Sequence, residues 1–265
     1  MELLLFHSLI SRFFSNSSQQ KPQLPIHDIS NQNYKITLQK DRLSEWFVPK
    51  FGPKGFRLYC GILFLPYTGM VVSFAAWGSF ATDFSAERLV AICVLYFLAL
   101  GVSAHCLDAL GSKNKPWGVL PKKKILLVSL LSLAVACTIG LYYAFLDSPI
   151  LFPIGIAEAF FLFAYNLELF KGKFHNNVIF VISWGVLPVF AGCAIQIDAI
   201  PLDVLILSGI AGTLSFILIK TSRRYKALLH GPQGITNTHR EEIILKMISV
   251  GVIVSTFSYL VSRYV

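Results

Sequence analysis

Seven apolar runs divide this chain, each close to the roughly 20 residues that a helix needs to cross a hydrocarbon core. They fall at 57–80, 87–110, 124–146, 149–170, 177–197, 202–221 and 243–263. Lipid offers an open backbone no hydrogen-bond partner, so runs of this kind must be helices. The expected fold class is therefore all-α, a polytopic transmembrane helical bundle of about seven spans. Composition closes off the alternatives. Hydrophobic residues make up 55% of the chain and charged residues 14%, against roughly 25% charged in a soluble domain. That ratio excludes a soluble globular domain, a disordered chain, a disulfide scaffold and a secreted enzyme.

Local signals agree with the cuts. Ser148-Pro149 supplies an N-cap and a first-turn proline, and Pro201 does the same before the sixth run. Thr238-His239-Arg240-Glu241 has the form of a capping box, and Gly231-Pro232-Gln233-Gly234 is a turn ahead of it. Pro66, Pro153 and Pro188 fall inside runs and should kink them, while Gly185, Gly192, Gly209 and Gly212 permit close helix approach. The five cysteines all lie in runs, form no C-x-x-C pair, and read as small apolar fillers.

The net charge of +9 does not point to nucleic acid, because the excess sits in short loops between the runs. On one side lie Lys50, Lys54, Arg57, Lys113, Lys115, Lys122, Lys123, Lys124, Lys171, Lys173, Lys220, Arg223, Arg224, Lys226 and Arg240. The other side has Arg88 and Arg263, with Asp83, Glu87, Asp147, Asp198 and Asp203. The positive-inside rule then puts the N-terminus in the cytoplasm and the C-terminus outside. Residues 1–50 are expected as a cytoplasmic N-terminal extension and 51–265 as the transmembrane domain. Within the extension, 15–33 has a disordered composition. Residues 38–48 have the pattern of a short amphipathic helix on the membrane surface, or equally of a plain linker.

Charge inside a span usually marks a functional path. His105 and Asp108, three apart on one helix face, end the second run, and Gly111, Ser112, Lys113, Asn114 and Lys115 follow. The fourth run carries Glu158 mid-span, then Tyr165, Asn166 and Glu168, with Lys171 in the next loop. The sixth ends in Arg223, Arg224 and Lys226. Topology puts these three clusters at the cytoplasmic ends of even-numbered spans, where a closed bundle would gather them around one cavity. Mixed acid, amide and base there suits an anionic head with an apolar tail. Each group also has a plain reading, as a topology charge, a solvated helix end or a packing residue.

The stretch from His105-Cys106-Leu107-Asp108 to Asn114-Lys115-Pro116-Trp117-Gly118 resembles the first Asp-rich motif of the UbiA superfamily of intramembrane prenyltransferases, with its following N-R-P-L-x-x-G-type segment. Tyr165 through Gln196, including Ser183-Trp184-Gly185-Val186-Leu187-Pro188, is similar to the family's fourth-to-fifth helix passage. The end of the sixth run matches the family's second Asp-rich motif in position only. The resemblance implies a prenyl diphosphate substrate held through Mg²⁺ between acidic clusters, and transfer of the prenyl chain to an acceptor. Carried over by position, the three acids of the first motif fall on His105, Asp108 and Ser112, so Asp108 is the one metal ligand implied. Ser222, Arg223, Arg224 and Lys226 occupy the second motif, which has no acid. This charge reversal suggests direct guanidinium binding of a lipid phosphate in place of Asp–Mg²⁺. The partners expected are membrane lipids and a prenyl diphosphate or other lipid phosphate. Three roles stay open: a prenyltransferase, a non-catalytic lipid-phosphate-binding or structural pseudoenzyme, and, on Glu158 alone, a small transporter.

Overall fold

A computed structural model of the chain describes residues 42–111, 117–118, 120–229 and 238–264, all within one unit that runs from Asp41 to Val265. The readings made for residues 1–41, for Ser112–Pro116 and for the Gly231–Gly234 turn lie outside the described residues. The described residues are helical, with no strand among them. Six helices are long and apolar enough to cross a membrane: α1 (Lys54–Phe80), α2 (Ala86–Gly111), α3 (Lys122–Leu146), α5 (Asn177–Ile197), α6 (Leu202–Leu229) and α7 (His239–Arg263). Leu151–Asn166, here α4, is apolar but only 16 residues long. It nevertheless reaches both ends of the bundle. Its start is tied to the loop after α5, where the Ile150 N–H donates to Asp198 Oδ1 at 2.9 Å. Its last residue, Asn166, lies against Gly111 at the end of α2.

Lipid is as apolar as leucine, so small residues and hydrogen bonds, not apolar burial, decide which helices pair. The second half of α1 and the second half of α5 form the closest pair. A β-carbon on Gly78 would stand 1.9 Å from the Val189 carbonyl oxygen, and one on Gly192 would stand 1.9 Å from that of Ala75. The Ser79 hydroxyl donates to the Gly192 carbonyl at 2.8 Å beside this crossing. The Trp77 indole donates to the Thr256 hydroxyl at 2.8 Å and joins α1 to α7. Ser103 and Ser129, both fully buried, are 2.9 Å apart between α2 and α3. The helices α3 and α7 bury only 22% of their apolar windows and form the lipid-facing periphery.

Three helices depart from regular geometry. α1 breaks at Phe64, whose φ of 45° places a non-glycine residue in the left-handed region. Pro66, without an N–H, stands in the first turn after the break. α2 and α5 contain π-helical stretches, Phe97–Ala104 and Ile182–Val186. Pro188 follows the second of these, whereas Pro153 sits in the first turn of α4, where its missing N–H breaks no bond of the helix.

Two capping expectations need correction. The N–H at the start of α4 is taken by Asp198 from a distant loop, and the Ser148 hydroxyl points instead to Asp147 and the Ile195 carbonyl. At the start of α7, Glu241 does not turn back on its own helix but pairs with Arg224 of α6 at 3.0 Å.

The end of the bundle that carries Asp147 and Asp198 is held by one guanidinium. Arg88 makes two parallel hydrogen bonds to the Asp147 carboxylate and a third to the Ile195 carbonyl at 2.6 Å. The Arg88 hydrogen bond holds the Asp147 carboxyl below its usual range.

Candidate functional site

The opposite, basic end gathers polar side chains from four parts of the chain. The described part of the expected amphipathic helix, 42–48, is a single 3₁₀ turn, Arg42–Ser44, followed by bends. It does not lie on the surface, because Leu43, Phe47 and Val48 are buried in the core. Its fold is fixed by backbone carbonyls that accept from distant cations: Arg57 donates to Leu43 and Pro49, and Lys50 to Ser44 and Glu45. This brings Arg42 and Glu45, an ion pair at 2.6 Å, to the end of the bundle.

Lys226 has Arg42, Asp108, Glu45 and Arg223 within electrostatic reach, and its own side chain is solvent-accessible. His105 has Asp108 and Lys226 as charged neighbours, and its Nδ1 bonds the Gly101 carbonyl at 3.0 Å. Tyr165 lies within electrostatic reach of Arg223 and Asp108. Tyr67 and Tyr225 close the other side, next to Glu45 and Arg42. Three cations thus face two carboxylates, which leaves an excess of positive charge.

Below the charges runs an arc of rings, and the helix irregularities create it. The left-handed Phe64 presents its ring to Phe47 (4.7 Å between centroids), His105 (5.0 Å) and Trp117 (5.9 Å). The π-helical stretches end beside His105 and contain Trp184, and these two rings meet at 5.2 Å. Trp184 stacks on Phe180 at 5.2 Å, and Tyr165 stacks on His175 at 4.3 Å. Arg42 lies over Trp117 at 4.6 Å and over Phe64 at 5.4 Å. The indole N–H of Trp46 is buried with no partner among the described residues. Strained backbone that positions side chains in this way usually marks a functional site.

The residues singled out from sequence therefore divide. His105, Asp108, Tyr165, Arg223 and Lys226 come together. Arg224, 68% exposed, does not act with Arg223: neighbours on a helix point about 100° apart, and Arg224 faces Glu241. Asn166 is buried and donates its amide to the Leu162 carbonyl of its own helix at 2.7 Å, so it serves the crossing with Gly111. Glu168 (φ 48°) and Lys171 (φ 61°, exposed) stand in the turn after α4. Ser112, Lys113, Asn114 and Lys115 lie outside the described residues. Glu158 does not belong to this cluster: it faces Tyr96 of α2 in a separate cavity. Arg42, Glu45, Tyr67 and Tyr225 were not expected. The sequence signal of Arg42 and Glu45, one charged and aromatic turn next to a proline, is that of any linker, and Tyr67 and Tyr225 are single tyrosines within apolar runs or helix ends.

Among the described residues no three His, Cys, Asp or Glu side chains converge, and cations dominate the surroundings of Asp108. Mg²⁺ needs shared carboxylates and phosphate oxygens in octahedral array. Comparison with protein-family models, with curated proteins and with solved structures gives no match.

Proposed function

We propose that this integral membrane protein binds the anionic head of a lipid phosphate at its basic end, a prenyl diphosphate being the expected ligand. In this reading the chain crosses the membrane seven times, α4 included, with its N-terminus in the cytoplasm and its C-terminus outside. The arrangement is then that of a divergent UbiA-like bundle. The carrying observation is Lys226 of α6, within electrostatic reach of Arg223 on the same helix and of Asp108 and His105, next to an arc of aromatic rings. Arg223 and Lys226 supply charge-assisted hydrogen bonds to phosphate oxygens. The rings supply an apolar path for the chain that follows. Asp108 and the Arg42–Glu45 pair hold the cations in place and keep the empty site from self-repulsion. Lys226, within electrostatic reach of Asp108, favours direct headgroup binding over metal-assisted transfer.

The test is binding of a fluorescent geranylgeranyl diphosphate to the purified full chain, with Mg²⁺ and with chelator. Arg223→Gln and Lys226→Gln should each weaken binding roughly 10- to 100-fold, the value of one hydrogen bond to a charged group. Chelator should leave the affinity unchanged. Binding that disappears with chelator, or that survives loss of both cations, would refute the reading.

A further inference from the structure

The second cavity has a chemistry of its own. It lies between α2, α3 and α4 and measures about 280 Å³. Its wall includes Tyr96, Leu133, Cys137, Gly140, Gly155 and Glu158. Cys137, Leu141 and Ile156 of the lining are exposed, so it opens sideways between α3 and α4, where the chain faces lipid. The lining is apolar apart from one carboxyl and one hydroxyl.

The Tyr96 hydroxyl donates to Glu158 Oε1 at 3.2 Å. Glu158 Oε2 is fully buried and has no hydrogen-bond partner among the described residues. A buried, unsatisfied carboxyl oxygen is destabilising where a leucine at the same position would be favourable, so packing has no need of it. An ionisable side chain inside a span is by default a functional feature. The volume is nearly twice the ~150 Å³ of an engineered apolar cavity that takes up benzene, so it holds an apolar body of about 10–12 carbon atoms.

We infer that this cavity is a binding site for a lipophilic alcohol, entered from the membrane, whose hydroxyl pairs with Glu158 Oε2 while its apolar body fills the space between α3 and α4. A hydroxyl both donates and accepts, so it satisfies Oε2 whichever protonation state the carboxyl holds. An ammonium serves only the ionised form, and a hydrocarbon serves neither. The site is independent of the basic cluster, which shares no lining residue with it.

The probe is a diazirine-bearing primary alcohol of about twelve carbons, matched to the cavity as above, applied to the purified full chain in detergent. A probe of the same length ending in a methyl group is the control. Saturable labelling of α3 and α4 peptides by the alcohol, competed by unlabelled dodecanol, is the expected result, with the methyl-ended probe labelling without saturation. Glu158→Leu should weaken it about tenfold, the loss of one buried hydrogen bond, and Glu158→Gln should restore most of it. Gly155→Phe should abolish labelling, since a β-carbon there meets nothing within 4 Å and the ring has room to enter. Equal saturable labelling by both probes, or labelling unchanged in Glu158→Leu and Gly155→Phe, would overturn the inference. If Glu158→Leu fails to fold, Gly155→Phe and the two-probe comparison decide. Oxidative cross-linking of Cys137, at the cavity mouth, tests the remaining occupant: a Cys137-linked dimer blocked by no alcohol would also overturn it.

Discussion

Replacing Gly192 by alanine tests the architecture at its tightest point. The new β-carbon would stand 1.9 Å from the Ala75 carbonyl oxygen, whereas ordinary contact begins at 3.4 Å. The two helices must therefore separate by about 1.5 Å, because the obstacle is backbone and no rotamer change relieves it. Separation stretches the Ser79–Gly192 hydrogen bond and opens the Phe74–Val189 region of the core, where both side chains are fully buried. Overpacking costs about 1–3 kcal/mol, and the upper end applies where side chains cannot give way. At roughly 2–4 °C per kcal/mol for a chain of this size, the apparent Tm should fall by about 6–12 °C. Gly78→Ala, whose β-carbon meets the Val189 carbonyl at the same distance, should cost a similar amount. The double variant should cost much less than the sum, because one separation accommodates both methyl groups. Gly209→Ala and Gly251→Ala, with nothing within 4 Å, should be neutral or slightly stabilising. The assay is tryptophan fluorescence during a thermal ramp at fixed rate in detergent. A Gly192→Ala melt within about a degree of wild type, or strict additivity in the double variant, would refute the close crossing.

Two other outcomes follow from the loops. Asp147 is held below the ordinary carboxylate range by Arg88, so its contribution is present above the unfolded-state value and is lost as pH falls through the lower folded one. Wild-type melts should therefore drop below about pH 4, and Asp147→Asn should start lower at neutral pH and show less of that acid-side decline; identical pH profiles would refute the assignment. In a chain cleared of its five native cysteines, Lys122→Cys and Lys171→Cys should react with an impermeant maleimide only after cells are permeabilised, and Asp198→Cys in intact cells. Opposite sidedness of Lys122→Cys and Lys171→Cys would show that α4 does not cross.

The helices were legible because hydropathy alone decides what enters lipid. Their ends were less so. The sixth run stops at 221 by hydropathy, yet α6 continues to Leu229, since Arg223 and Lys226 end the apolar surface and not the helix. Glu158 and Tyr165, seven apart, share a helix face, which suggested one cavity. Seven residues also climb about 10 Å along the axis. That is enough to put Glu158 beside Tyr96 within the apolar lining and Tyr165 beside Arg223 at the bundle end. The role of Arg42 and Glu45 was not legible at all, because only the tertiary path of 42–50 carries them to the cluster. The same holds for Arg224, whose partner Glu241 belongs to the next helix.

The shortness of α4 bears on the membrane around it. Sixteen residues rise about 24 Å, some 6 Å less than a typical hydrocarbon core. The chain partly offsets this mismatch with the turn that follows, where Phe170 and Phe174 lie within 6.3 and 5.0 Å of the Phe160 ring and prolong the greasy band past the last helical residue. In the seven-span arrangement proposed above, the leaflet beside α4 is drawn thinner than elsewhere around the molecule, and the protein should sort toward membranes of lower thickness.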